Sequence, residues 1–184
     1  MRKIIYHVAT TLDGFIAHED GSFEGFVPDG EHVTDFLDSI KNYGAILMGK
    51  NTYEVGYKYG MKPGDPAYAD FNPDMKNYVF SRSANFESNA RVQLVRQDKI
   101  AFIKNLKTEA DRDIWLCGGG ALAGSLLEHE LIDELLIKLN PVVFGSGIPL
   151  FGGSKKNLNL TFLNSKTYES GVLLLHYNIN YQPS

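Results

Sequence analysis

Apolar residues in this 184-residue chain fall into short runs that switch between strand and helix spacing. Ile4 to Thr11 is a mostly apolar run of strand length, followed by an Asp13-Gly14 turn signal. From Asp29 onward, Val33, Phe36, Leu37 and Ile40 recur at i, i+3, i+4 and i+7, which predicts a helix with one apolar stripe and Asp29 as its cap. Ala45 to Met48 is a continuous apolar strand closed by Gly49, with a second helix beginning near Asn51-Thr52. Gly60 to Lys76, with Pro63, Gly64, Pro66 and Pro73, suits a long loop. Strands follow at Tyr78 to Phe80 and Val92 to Val95, then a helix over Lys99 to Lys107 with Ile100, Ile103 and Leu106 inward. Ile114 to Cys117 runs as a strand into Gly118-Gly119-Gly120, and Ala121 to His129 is helical. Glu134 to Leu139, Leu158 to Ser165 and Val172 to Tyr181 complete the strands.

Strands alternating with helices predict an α/β fold whose central sheet is mostly parallel and covered on both faces. A closing pair of strands with no helix between them predicts an antiparallel C-terminal edge. The length suits one domain spanning 1–184. In such sheets ligands gather where the strands end, and Gly49, Ser81 and Gly118 all stand at such ends.

Composition narrows the class. With 43% hydrophobic and 22% charged residues the chain reads as an ordinary globular protein, and a net charge of -4 offers no field for a polyanion, so nucleic acid is not an expected partner. No apolar stretch approaches the length of a membrane span, and the N-terminal run is too short for a signal peptide, so a cytoplasmic protein is expected. The single cysteine, Cys117, ends an apolar strand and reads as a buried thiol. The five histidines show no ligand spacing, which predicts no metal.

The glycine triplet carries the chemistry. Consecutive glycines between a strand and a helix let a ligand approach the main chain, and the amides of the helix start suit an anion such as a nucleotide pyrophosphate. Gly118 to Ala123 also satisfies G-x-G-x-x-G/A, but it lies late in the chain with no acid about 20 positions on, unlike a Rossmann site. Ser81-Arg82-Ser83 offers two hydroxyls and a guanidinium after a strand, a set suited to the 2′-phosphate of NADPH. A charge-assisted bond there is worth roughly 1.5–3 kcal/mol. Lys50 and Thr52 could add a cation and a hydroxyl at the second helix start.

Six segments in this order resemble the dihydrofolate reductase superfamily, most closely the reductase domain of the bifunctional riboflavin-biosynthesis deaminase-reductases. They are Thr11 to Ala17, Met48 to Tyr53, Ser81 to Ser83, Gly118 to Leu122, Asp133 to Leu135 and Pro141 to Phe151. The resemblance implies a dihydrofolate reductase-like fold, a cis Gly118-Gly119 peptide and NADPH across the strand ends. Gly49, Lys50 and Thr52 would meet its pyrophosphate and ribose, and Ser81, Arg82 and Ser83 its 2′-phosphate. Gly118, Gly119, Gly120, Ala121 and Leu122 would meet the pyrophosphate and the nicotinamide side. Ala9, Thr10, Phe15 and Ile16 would line the nicotinamide pocket, with Asp13 near it as a candidate catalytic residue. Dihydrofolate reductases hold the pteridine with a carboxylate on the first helix; Asp35 is the candidate here, although it also suits a plain polar face. The segment Glu54 to Tyr59 stands where riboflavin reductases carry an Asp-Asn-Pro type.

The expected activity is therefore NADPH-dependent reduction of a small heterocycle, of the 5-amino-6-(5-phosphoribosylamino)uracil type, by a free-standing reductase that pairs as a homodimer. Dihydrofolate reduction and a nucleotide-binding module without chemistry stay open as alternatives.

Overall fold

The computed structural model describes residues 1–181. Its elements run β1 (Ile4–Thr10), β2 (Phe15–Ala17), α1 (Glu31–Ser39), β3 (Tyr43–Gly49), α2 (Lys50–Glu54), β4 (Lys76–Phe80), β5 (Val92–Val95), α3 (Lys99–Thr108), β6 (Asp113–Gly118), α4 (Gly120–Glu128), β7 (Glu134–Leu139), β8 (Ile148–Pro149), β9 (Asn159–Thr167) and β10 (Leu173–Asn180).

Eight strands form one sheet in the order β5-β4-β3-β6-β1-β7-β10-β9, and β2 pairs with β8 in a second small sheet. The six strands from β5 to β7 are mutually parallel, whereas β10 runs antiparallel to β7 and β9 antiparallel to β10. The continuous apolar run of β3 is what a central parallel strand needs, because both of its faces are covered. Its residues alternate between two cores. Ala45 and Leu47 pack with Ile4, Tyr6, Ile114 and Leu116 against α3 and α4, while Ile46 and Met48 pack with Trp115 and Tyr53 on the opposite face beneath α1 and α2.

The chain first moves outward from β1 through β3 to β5, then returns to insert β6 between β3 and β1. Adjacent strands β3 and β6 therefore feed helices that leave toward opposite faces: Tyr53 of α2 joins one core and Leu122 of α4 the other. That divergence opens a crevice at the strand tips, the topological switch point of the sheet.

Four sequence expectations are corrected. The cap of α1 is Gly30 rather than Asp29: Gly30 has φ 119°, which only glycine adopts readily, and its carbonyl accepts from Val33 and Thr34 with no side-chain cap. The buried stripe of α1 also includes His32, whose ring nitrogens reach Val27 O at 3.2 Å and Ser170 Oγ at 3.3 Å, so a polar side chain is satisfied there. The second helix starts at Lys50 and passes after Glu54 into a 3₁₀ turn ending at Tyr59. Strands β2 and β8, of three and two residues, were not expected; they form because Leu150 N donates to Gly14 O at 2.9 Å and closes the Pro141 to Phe151 segment over the strand tips.

Candidate active site

The tips of β3 and β6 meet as bare backbone. A Cβ at Gly49 would lie 3.8 Å from Gly119 N, and one at Gly119 would lie 3.2 Å from Thr52 Oγ1 and 4.0 Å from Ile16 Cδ1. Three elements thus converge on Gly119: the β6–α4 junction, the first turn of α2 and the short strand β2. Gly118 has φ 124°, a conformation that disfavours any side chain, and the Gly118-Gly119 peptide is cis. Gly119 O accepts from the amides of Leu122 and Ala123 at 3.0 Å each, while those of Gly120 and Ala121 have no acceptor among the described residues. Free amides beside glycine backbone are the donor set a pyrophosphate takes.

The third glycine has a different use. A Cβ on Gly120 would overlap the Pro149 carbonyl oxygen, and Gly152 sits directly against the Ala121 backbone, so these two residues are where the β8 segment packs onto α4. Leu122 is buried in the core, with Tyr6 and Leu126 in the same cluster. Of the triplet and its successors, Gly119 stands against Thr52 and Ile16, Gly118 is buried over the Tyr6 ring, Gly120 and Ala121 keep free amides, and the Leu122 amide is spent on Gly119 O.

Thr10 and Thr11 are spent on the turn that presents β2. Thr10 Oγ1 donates to Phe15 O at 3.1 Å, and Thr11 Oγ1 accepts from Phe15 N at 2.9 Å while donating to Asp13 Oδ1 at 2.5 Å. Asp13 also accepts from Phe144 N at 3.2 Å and Gly145 N at 2.7 Å. The Thr11 hydroxyl, with these amides, holds its carboxyl below the usual carboxylate range. Asp13 thus arrives as an ionised loop anchor that fixes Phe15 and Ile16 at the crevice.

Ser81 follows β4 on the same edge of the sheet, and its Oγ accepts from Ser83 N at 3.0 Å and Ala84 N at 2.9 Å, which shapes the turn. Arg82 and Ser83 are exposed, and Arg82 O accepts from Arg96 Nη1 at 3.2 Å. Arg96 was not singled out from sequence, because only the pairing of β4 with β5 brings it to this turn. Lys50, at the start of α2, lies 3.8 Å from Glu54, a surface pair of small worth.

Asp35 lies across β1 from this crevice, on α1. Its Oδ2 accepts from Lys166 Nζ at 2.7 Å and Tyr168 OH at 2.8 Å, and those two hydrogen bonds hold its carboxyl below the usual range. Lys166 also binds Glu31 at 2.7 Å, so β9 is stapled to α1. Beneath this staple His7 is buried edge-on to Phe36, at 5.1 Å between ring centroids, with Tyr43 OH 3.2 Å from Nδ1. Burial above all, then the charges of Lys138 and His176, push the His7 imidazole down to about 3, so it is neutral. Burial likewise pushes the Cys117 thiol up to about 12, which keeps it protonated and unreactive. Lys138, Tyr168 and Lys166 were missed from sequence. The signal for Lys138 was a lysine two residues after Leu136 on one face of an apolar strand.

Comparisons with known proteins bear on the family and the fold. Residues 2–174 match the family model of the RibD C-terminal domain. The chain is 34% identical over 187 aligned residues to the uncharacterized protein YyaP of Bacillus subtilis (strain 168), covering 97% of this chain and 96% of that one. A deaminase/5-amino-6-(5-phosphoribosylamino)uracil reductase from Thermotoga maritima superposes with a TM-score of 0.69 at 18% identity, over 97% of this chain and 57% of that one. Dihydrofolate reductase from Enterococcus faecalis, solved with NADP(H) and RAB-propyl, superposes with a TM-score of 0.68 at 14% identity, covering 97% of each chain. The fold is dihydrofolate reductase-like, with the mostly parallel sheet and antiparallel edge described above. No helix of the described residues is long and apolar enough to cross a membrane.

Proposed function

The chain belongs to the RibD C-terminal domain family, and from that premise we propose that it is an NADPH-dependent reductase of a small heterocycle, of the phosphoribosylaminouracil type. The observation that carries the reading is the side-chain-free junction where Gly49 meets Gly118-Gly119 at the strand tips, flanked by Thr52 and Ile16. Thr52 and the free amides of Gly120 and Ala121 would hold the pyrophosphate, and Arg82 with Ser83 the 2′-phosphate. Phe15, Ile16 and Ala9 would bound the nicotinamide, with Thr10 and Asp13 fixing that wall. NADPH supplies the hydride when bound; the chain's part is to hold donor and acceptor at reacting distance and keep water out.

Asp13 and Asp35 act in this reading as positioning residues, because each carboxylate is already held by two or more donors. We also assign a homodimer to the free edge at β9. All of β9 is exposed, including Phe162 at 57% and Leu163 at 44%, and an edge strand with unpaired backbone and apolar side chains invites a second copy. The protein then works as a cytoplasmic dimer. Phe162→Lys, followed by light scattering, should shift mass from dimer to monomer.

The deciding experiment is calorimetric titration with NADPH and NADH, followed by loss of NADPH absorbance with the pyrimidine acceptor. Binding with turnover supports the reading. Turnover only with dihydrofolate replaces its substrate, and binding without turnover on either leaves a nucleotide-binding module.

A further inference from the structure

Lys138 stands apart from the other charged groups around α1. In the parallel register it lies opposite Ala9, one strand from the proposed nicotinamide wall, and with Leu136 it faces α1 beside His7. Its ammonium sits 5.4 Å from the centroid of the Phe36 ring and makes no hydrogen bond or ion pair among the described residues. Asp35 on α1 lines the same small cavity but gives its Oδ2 to Lys166 and Tyr168. His7, the other polar neighbour, is neutral. A half-buried cation left with an aromatic face and a neutral ring is incompletely compensated. Burial pulls its pKa below the usual lysine value, in keeping with that.

We propose that Lys138 is the anion-recognising group of the acceptor site, and that the acceptor is a planar ring bearing an anionic oxygen, as a carboxylate or an ionised ring oxygen. The cavity beside Lys138 has a volume of about 40 Å³, which admits one water or one ligand oxygen and no ring. The ring then lies outside the cavity, with only the anionic oxygen inserted beside Lys138. This inference rests on the reductase reading for the identity of the acceptor side and revises its substrate, from a neutral uracil ring to a ring that carries the anionic oxygen itself.

The test uses orotate, a pyrimidine carboxylate, with uracil as the neutral control. Trp115 is the chain's one tryptophan; it packs 5.5 Å from Phe36 and donates to His7 O at 2.9 Å, so its fluorescence reports occupancy. Orotate should bind saturably and at least about tenfold more tightly than uracil. Lys138→Gln and Lys138→Met should each weaken orotate about tenfold or more and leave uracil unchanged, while Lys138→Arg should keep most of the affinity. In the unliganded protein Lys138→Met should also raise the melting temperature, because it removes an unpaired charge.

Equal orotate affinity with and without the lysine overturns the proposal, as does no preference of the natural chain for orotate. A fall in melting temperature on Lys138→Met overturns it too, since the lysine would then have a structural partner. NADPH binding, followed by nicotinamide fluorescence, separates the two readings. Orotate bound through Lys138 without any NADPH binding refutes the reductase and leaves this site standing. NADPH binding with orotate indifferent to Lys138 does the reverse.

Discussion

The two sides of the sheet's C-terminal edge are built from different materials. At the β3–β6 crevice the surface is main chain, with Gly49, Gly118 and Gly119 contributing shape and nearby amides contributing donors. On the α1–β7 side it is side chains from distant segments: His7, Asp35, Lys138 and Tyr168 share one small cavity. A backbone surface suits a ligand portion that never varies, because it leaves no side chain to substitute. A side-chain surface can change its ligand by one replacement, so specificity for the acceptor belongs there.

The sharpest break of this comparison is at Gly119. Its φ of -83° tolerates a side chain, so Gly119→Val should fold, yet the added carbons would crowd Thr52 Oγ1, 3.2 Å from the Cβ position. NADPH and NADH affinity should both fall by more than about a hundredfold, or roughly 3 kcal/mol, by calorimetry. Unaltered affinity would remove the crevice from the cofactor site. Gly120 gives the contrasting result, since its absent Cβ makes room for the Pro149 carbonyl. Gly120→Ala should lower unfolding stability by about 1–3 kcal/mol in urea titration, with dinucleotide affinity of the folded fraction falling less than in Gly119→Val, because the Gly120 amide is kept. If Gly120→Ala loses affinity and keeps stability, both glycines belong to the ligand.

Arg82 sharpens the comparison from the cofactor's far end. It is exposed, and only NADPH carries the extra phosphate, so Arg82→Ala should weaken NADPH about tenfold to a hundredfold and leave NADH within about twofold. Equal losses for both dinucleotides would move the 2′-phosphate elsewhere.

The backbone-built side was legible in sequence and the side-chain-built side was not, for the same physical reason. Glycine runs and buried parallel strands announce themselves locally: the apolar run ending at Gly49 and the triplet after Cys117 need no knowledge of what they touch. Lys138 is conspicuous only once β7 is seen to pair with β1 and β10, which turns it toward α1 beside His7. Asp35 reads as a polar-face residue until β9 returns Lys166 to it across 131 positions. The short strands β2 and β8 fall below any detectable periodicity, and Asp29 was an ordinary cap signal that a left-turning Gly30 pre-empted.

The smallest expected effect tests whether Asp35 is a clamp or a proton donor. Its carboxyl is depressed below the ordinary 3.8 by Lys166 and Tyr168, so its stabilisation is fully present above that value and is lost as pH falls through the folded-state value. Lys166 is shifted the opposite way, so its share is present below 10.5 and is lost at strongly alkaline pH. The Asp35 side chain is 38% exposed, and solvent screening keeps the pair weak. Asp35→Asn should therefore cost little stability near neutrality by denaturant titration. The gap from the natural chain should close in acid, where the carboxylate is protonated anyway. Turnover should fall by less than about tenfold, because a clamp acts on position. Loss of turnover by about a hundredfold or more, without matching loss of stability, would make Asp35 a participant in proton transfer and bring the α1 side closer to a dihydrofolate reductase.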